Sequence, residues 1–135
     1  MDNIQKDLVE LLVRQNVAYT TLLPADAKKW ETSIRAAFGD PRKKSGPLWE
    51  ALEGGISYQG EEGANAARTH LSELRGPVIL LIDDWKGYSA IEISRGADLA
   101  NVLEESYNFR WYVTNSSVDF VLCRNDHDFV TFCSR

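Results

Sequence analysis

Asp126, His127 and Asp128 form the only run in this sequence whose residue types suggest a catalytic or metal-binding site. A histidine between two carboxylates can have its charged form stabilised, and it can ligate a metal ion together with one aspartate. In an extended segment, however, neighbouring side chains point to opposite faces, so these three cannot easily converge. The run is therefore most typical of a polar hairpin turn with a surface histidine. Partner contact, and a metal or catalytic role, remain open.

Asp83 and Asp84 are a second pair of carboxylates, placed directly after an apolar segment and followed by Trp85. Paired acids at the end of a strand can hold magnesium or act in acid–base chemistry, but no third carboxylate is spaced to join them. Aspartate and glycine are common turn residues, so the segment predicts a hairpin turn. The alternative is an acidic and aromatic binding surface, because tryptophan and carboxylates are strong anchors against a basic partner.

Glu104 and Glu105 fit the solvated face of a helix, and they would enlarge one acidic patch if they flanked the Asp83–Asp84 turn. We predict no catalytic residue, no bound cofactor and no metal ligand. The predicted partner-binding residues share acidic or aromatic character and proximity to turns. They are Asp83, Asp84, Trp85, Glu104, Glu105, Asp126, His127 and Asp128.

The net charge of −5 is unevenly distributed along the chain. Residues 1–76 carry eleven acids and ten bases, whereas residues 77–135 carry nine acids and five bases. An acidic half repels phosphate backbones and steers a basic partner toward itself. The charge pattern therefore argues against nucleic acid as the partner and favours a protein with a basic surface.

The two cysteines, Cys123 and Cys133, flank the predicted turn over 124–128. In a hairpin they would lie some residues apart along the ladder, beyond the reach of a disulfide bond. No C-x-x-C motif occurs, and no histidine near Cys123 in sequence marks it as a nucleophile. We expect two reduced and mostly buried thiols.

The length of 135 residues is typical of one domain with a sizeable core. The longest strictly apolar run, Val78 to Ile82, is far shorter than the roughly 18 residues needed to span a bilayer. The N-terminus lacks the basic start and apolar stretch of a signal peptide. We therefore expect one cytoplasmic domain, covering residues 1–135, with no membrane partner.

Apolar residues at helical spacing predict a first helix that ends near Gln15, a second between Pro24 and Gly39, and a third over about 61–75. Val78 to Ile82 is apolar on both faces, which predicts a central strand covered on both sides. A turn leads from it to a strand over 88–93, and a helix capped by Asp98 or Ser94 follows.

Alternating residues after this helix predict three further strands, which form an antiparallel meander that ends at residue 133. Ile56 to Tyr58 fits a short edge strand. The order of elements predicts an α+β fold: N-terminal helices on a mostly antiparallel sheet of about five strands, with a helix between the second and third.

Residues 77–130 resemble a group of small bacterial proteins in which an apolar strand, an acidic or aromatic turn and a helix precede a YVTN segment and a C-x-N-x-H-D motif. The matching positions are Tyr112, Val113, Thr114, Asn115, Asp119, Cys123, Asn125, His127 and Asp128. Proteins of this kind look like immunity proteins of polymorphic toxin systems, including contact-dependent growth inhibition. The resemblance implies a cytosolic, non-enzymatic protein that binds one toxin domain and blocks its active site or a required contact. It assigns no residue to that contact.

Three functions are therefore considered. The first is an immunity protein that neutralises a cognate toxin domain by stoichiometric binding. The second is an adaptor or regulatory domain with a different protein partner. The third is a small hydrolase or metal enzyme that uses Asp126, His127 and Asp128.

Overall fold

The computed structural model of the chain describes residues 3–43, 45–84, 86–106 and 109–135. Five α-helices lie within these residues: α1 (Asn3–Arg14), α2 (Pro24–Phe38), α3 (Leu48–Ala51), α4 (Gly60–Ser72) and α5 (Leu99–Glu105). A 3-10 turn, Gly96–Asp98, leads into α5. None of the described helices is long and apolar enough to cross a membrane.

The ends of α2 and α4 follow from local chemistry. Pro24 occupies the first helical position, where its missing N–H costs nothing, and α2 ends before Gly39. α4 ends at Ser72, earlier than predicted, because its last turn tightens. The Glu73 and Leu74 N–H groups donate to carbonyls three residues back, at 3.3 and 3.0 Å.

The described residues form one antiparallel sheet of seven strands, so the predicted number of about five is wrong, although the α+β class is consistent with the structure. The strands are β1 (Tyr19–Thr21), β2 (Ile56–Gln59), β3 (Val78–Asp83), β4 (Tyr88–Ile93), β5 (Arg110–Thr114), β6 (Phe120–Arg124) and β7 (Phe129–Ser134). Their order across the sheet is β1-β4-β3-β5-β6-β7-β2. The predicted helix between the second and third strands is α5, which lies between β4 and β5.

The two edge strands are β1, which was not predicted, and β2, which confirms the short edge strand expected over Ile56 to Tyr58. β1 has three residues, too few to show an alternating pattern, and it forms because Tyr19 pairs with Ile93 of β4. β2 pairs with β7 at the other edge, with Ile56 opposite Phe132. Both edges are thus supplied by the N-terminal part of the chain.

β3 is an interior strand, as its apolar sequence predicts. All six of its residues are buried, and it pairs with β4 on one side and β5 on the other. One face of the sheet packs against apolar residues of α1, α4 and α5, including Leu8, Leu71 and Leu103. The other face packs against α2 and α3.

Both cysteines lie on the face covered by α2 and α3. Val121 is opposite Cys133 and Cys123 is opposite Thr131, so the two thiols are diagonal neighbours on β6 and β7. They are free and buried, and burial raises the pKa of each thiol. A raised pKa keeps a thiol protonated and poorly nucleophilic at neutral pH.

Candidate functional site at the acidic end of the sheet

Strand register brings the predicted acidic turns to the same end of the sheet. Asp83 at the end of β3 pairs with Arg110 at the start of β5, and Trp111 pairs with Arg124 at the end of β6. The turns over 84–87 and 125–128 therefore lie at one end, separated by β5. Because adjacent strands are about 4.8 Å apart, β3 and β6 lie about 10 Å from each other.

Two helix ends join these turns. α5 ends at Glu105 and the chain then enters β5 at this same end. α4 begins here because β2 ends with Gln59 opposite Phe129, and the Gly60 N–H donates to the Asp128 carbonyl at 3.0 Å. We call this region the acidic end, defined by seven carboxylates: Glu61, Glu62, Asp84, Glu104, Glu105, Asp126 and Asp128.

Asp83 does not belong to the exposed surface. Its side chain is 7% exposed and accepts a hydrogen bond from Arg110 Nη2 at 3.2 Å, and Arg110 is 5% exposed. The pair is a buried cross-strand ion pair, which sequence spacing alone could not reveal. Tyr88 is opposite Asp83 in the hairpin, and its pKa is raised to about 12, by burial first and then by the charges of Asp83 and Glu31.

Asp84 shapes the turn between β3 and β4. Its Oδ1 accepts hydrogen bonds from the backbone N–H groups of Lys86 and Gly87, at 3.1 and 3.0 Å. Side chains of this type stabilise tight turns by replacing a backbone acceptor. Asp84 is half-buried, and Trp85, the predicted aromatic contact, lies outside the described residues.

Glu104 and Glu105 are both exposed near the end of α5. Glu104 accepts a hydrogen bond from Arg68 of α4, and each side chain of this pair is about half exposed. Glu105 lines a shallow groove between α5 and α1 with Asp7 and Glu10. Arg14 of α1 also lines this groove, so three acids and one base lie around it.

The turn over 125–128 is organised by Asn125, which is buried. Its Oδ1 accepts hydrogen bonds from the backbone N–H groups of His127 and Phe129, at 2.9 and 3.1 Å. Asp128 has a φ of 64°, a conformation that aspartate tolerates better than most residues. Asn125 thus fixes a turn whose tip exposes Asp126 and His127.

The segment is a turn and not the extended strand assumed in the sequence analysis, and its side chains make separate contacts. The His127 ring packs edge-on against Trp49 of α3, with ring centroids 5.5 Å apart. Asp128 accepts a hydrogen bond from Arg124 at 3.0 Å, on the opposite face of the sheet. Asp126 comes no closer to His127 Nε2 than 3.9 Å. Within the described residues no group of three or more histidine, cysteine, aspartate or glutamate side chains is arranged to hold a metal ion.

Four charged residues at this end were not among the predicted site residues: Glu61, Glu62, Arg68 and Arg124. The available signal was the Gly60-Glu61-Glu62 start of α4, since acids are favoured in the first turn of a helix. Nothing in the sequence indicated that the first turn of α4 lies beside the hairpin turn over 125–128. That proximity depends on β2 pairing with β7.

The fold and this end of the sheet define an α+β protein with an exposed acidic surface. The chain matches none of the protein-family models searched, and neither a curated protein nor a solved structure gives a significant match.

Proposed function

We propose that this chain is an immunity protein, which binds one cognate bacterial toxin domain in a stoichiometric complex and neutralises it in the cytoplasm. The proposal rests chiefly on the acidic end. Carboxylates from two turns and from the ends of two helices surround one end of the sheet. A surface of this kind suits rapid and specific association with a basic partner.

The arrangement of these carboxylates favours binding without a chemical step. Asp84 accepts backbone hydrogen bonds, and Glu104 and Asp128 each pair with an arginine. General acid–base catalysis needs titratable groups within hydrogen-bond reach of a common reacting atom. His127 instead packs on Trp49, away from Asp128. We therefore assign the protein no enzymatic activity and no cofactor.

The proposed partner surface is basic and belongs to a protein. Exposed carboxylates repel the phosphate backbone, so nucleic acid is a poor partner for this end. A toxin that acts on nucleic acid needs a basic substrate groove, and an acidic inhibitor surface complements such a groove. Occupation of the groove would exclude the substrate and neutralise the toxin.

Co-purification with the product of the adjacent open reading frame tests the function. We expect a one-to-one complex with nanomolar or tighter affinity, and we expect co-expression to restore growth of cells that produce the toxin domain. Failure of the two proteins to associate would contradict the immunity function. A basic partner that is not a toxin would instead assign the surface to an adaptor or regulatory domain.

A pair of charge-reversal variants tests the surface itself. Glu105→Lys with Asp126→Lys changes two exposed carboxylates of the acidic end. Glu73→Lys with Glu92→Lys makes the same change in net charge at exposed positions near the other end. We expect the first pair to weaken binding about tenfold or more, chiefly through slower association and with a shallower salt dependence. Equal effects of both pairs would mean that only net charge matters.

A further inference from the structure

A pocket of about 250 Å³ lies between α4 and α5, at the acidic end of the sheet. Its floor is formed by four apolar side chains that are almost fully buried: Leu71, Leu103, Trp111 and Val130. Protein interiors are normally filled to the density of organic crystals, so space above such a floor calls for an explanation.

The walls explain why the space is open. Ala64 and Ala67 of α4 and Ala100 of α5 line the pocket, and none of them carries more than a methyl group. Ala64 is exposed at the mouth, whereas Ala67 lies deeper, at 9% exposure. A longer side chain at Ala64 could fill the pocket without entering the core.

Two arginines give the pocket its polar side. Arg68 donates to Asn65 Oδ1 at 3.1 Å and to Glu104, while Arg124 Nη2 donates to Asp128 Oδ1 at 3.0 Å. A guanidinium has five N–H groups, so these contacts within the described residues leave donors on both arginines for a ligand. The contacts also hold each guanidinium in place, which lowers the entropic cost of binding.

We propose that this pocket binds a small carboxylate with an apolar body, such as an aryl- or branched-alkyl-substituted acid of about ten non-hydrogen atoms. The apolar body would lie on Trp111 and Leu103, and the carboxylate would accept hydrogen bonds from Arg68 and Arg124. The donors select this class, because Arg68 and Arg124 both line the pocket and each has N–H groups beyond those that bind Glu104 and Asp128. The apolar floor disfavours strongly hydrated ions such as phosphate. The pocket lies within the acidic end, but the proposal of a bound acid does not rest on the immunity function.

Titration of the full-length protein with 3-phenylpropionate, followed by ¹H–¹⁵N NMR, tests the proposal. The matched ligands are 3-phenylpropan-1-ol, which lacks the charge, and 3-phenylpropylamine, which reverses it. We expect 3-phenylpropionate to bind with a Kd of about 0.1–5 mM and to shift the signals of Ala67 and Trp111. The alcohol and the amine should bind about tenfold more weakly or worse. Two results would overturn the proposal. One is equal binding of all three compounds, and the other is no detectable binding of 3-phenylpropionate at about 100 mM, which is 20-fold above the upper end of the expected Kd.

Variants locate the site. Arg124→Gln should weaken binding of 3-phenylpropionate about tenfold or more, and Ala64→Leu should abolish it by filling the mouth. Lys86→Gln removes an exposed cation from the same end but outside the pocket, so it should change the Kd less than about twofold. Ala64→Leu leaves every charge in place. If Arg124→Gln lowers the stability of the protein, Ala64→Leu still tests whether the acid binds in this pocket. Unchanged binding by Ala64→Leu would show that the acid binds elsewhere.

Discussion

Asp83→Asn is expected to destabilise the protein strongly, although the substitution changes only one atom of the side chain. Asp83 and Arg110 lie opposite each other on β3 and β5, at 7% and 5% exposure, with a hydrogen bond of 3.2 Å between them. Asparagine keeps the shape of the side chain but removes its charge. Arg110 would then keep its charge in a buried position and lose the charge of Asp83.

The magnitude follows from this burial. Breaking a buried pair by neutralising one partner costs about 3–5 kcal/mol, because the remaining charge is uncompensated. For a chain of 135 residues this loss corresponds to a fall in Tm of about 10–18 °C. An exposed pair contributes at most about 1 kcal/mol, since water screens it.

Urea unfolding, followed by circular dichroism, measures the difference. Glu104→Gln is the matched control, because it neutralises the carboxylate of an ion pair that is half exposed. We expect Asp83→Asn to lower the free energy of unfolding by at least about 2 kcal/mol more than Glu104→Gln does. Similar losses in the two variants would refute the assignment of Asp83 to the buried structure rather than to the partner surface.

Three further predictions concern the thiols, the ion pair of Asp40 with Arg42, and a turn. Cys123 and Cys133 should resist alkylation at pH 8 in the native state and react on unfolding, because burial raises the pKa of both thiols; rapid native labelling would contradict this. Hydrogen bonds from Arg42 lower the pKa of Asp40 from 3.8 to about 2. The ionised carboxylate therefore stabilises the folded state fully above pH 3.8, and this stabilisation is lost as the pH falls through 2. Carboxyl NMR of Arg42→Gln should show this pKa returning toward 3.8. Asn125→Ala should cost about 1–3 kcal/mol in urea unfolding, since two backbone N–H groups lose their acceptor.

The interior of the fold could be predicted from sequence because its signals are local. A run of five apolar residues, Val78 to Ile82, predicts an interior strand, and alternation marks the strands that follow. β1 could not be predicted, because a three-residue strand has no periodicity of its own. Its existence depends on β4, which lies about 70 residues later in the chain.

The candidate site could be predicted only in part from the sequence, for a different reason. The sequence shows which residues are acidic, but the exposure of each acidic side chain depends on the residues that surround it in the folded protein. Asp83 and Asp84 are neighbours, yet one is buried against Arg110 and the other accepts the N–H groups of a turn. Glu61 and Glu62 carry no sequence relation to Asp128, and only the pairing of β2 with β7 brings them together.

The order of the strands also governs how the protein can fold during synthesis. The N-terminal part of the chain leaves the ribosome first, but its two strands pair with strands that are made later, β1 with β4 and β2 with β7. The apolar faces of α1 and α2 pack on a sheet that does not yet exist when they emerge. By contrast, the five later strands, β3 to β7, are contiguous in the sheet. The nascent chain must therefore keep its first helices from aggregating until its own later strands supply the surface that covers them.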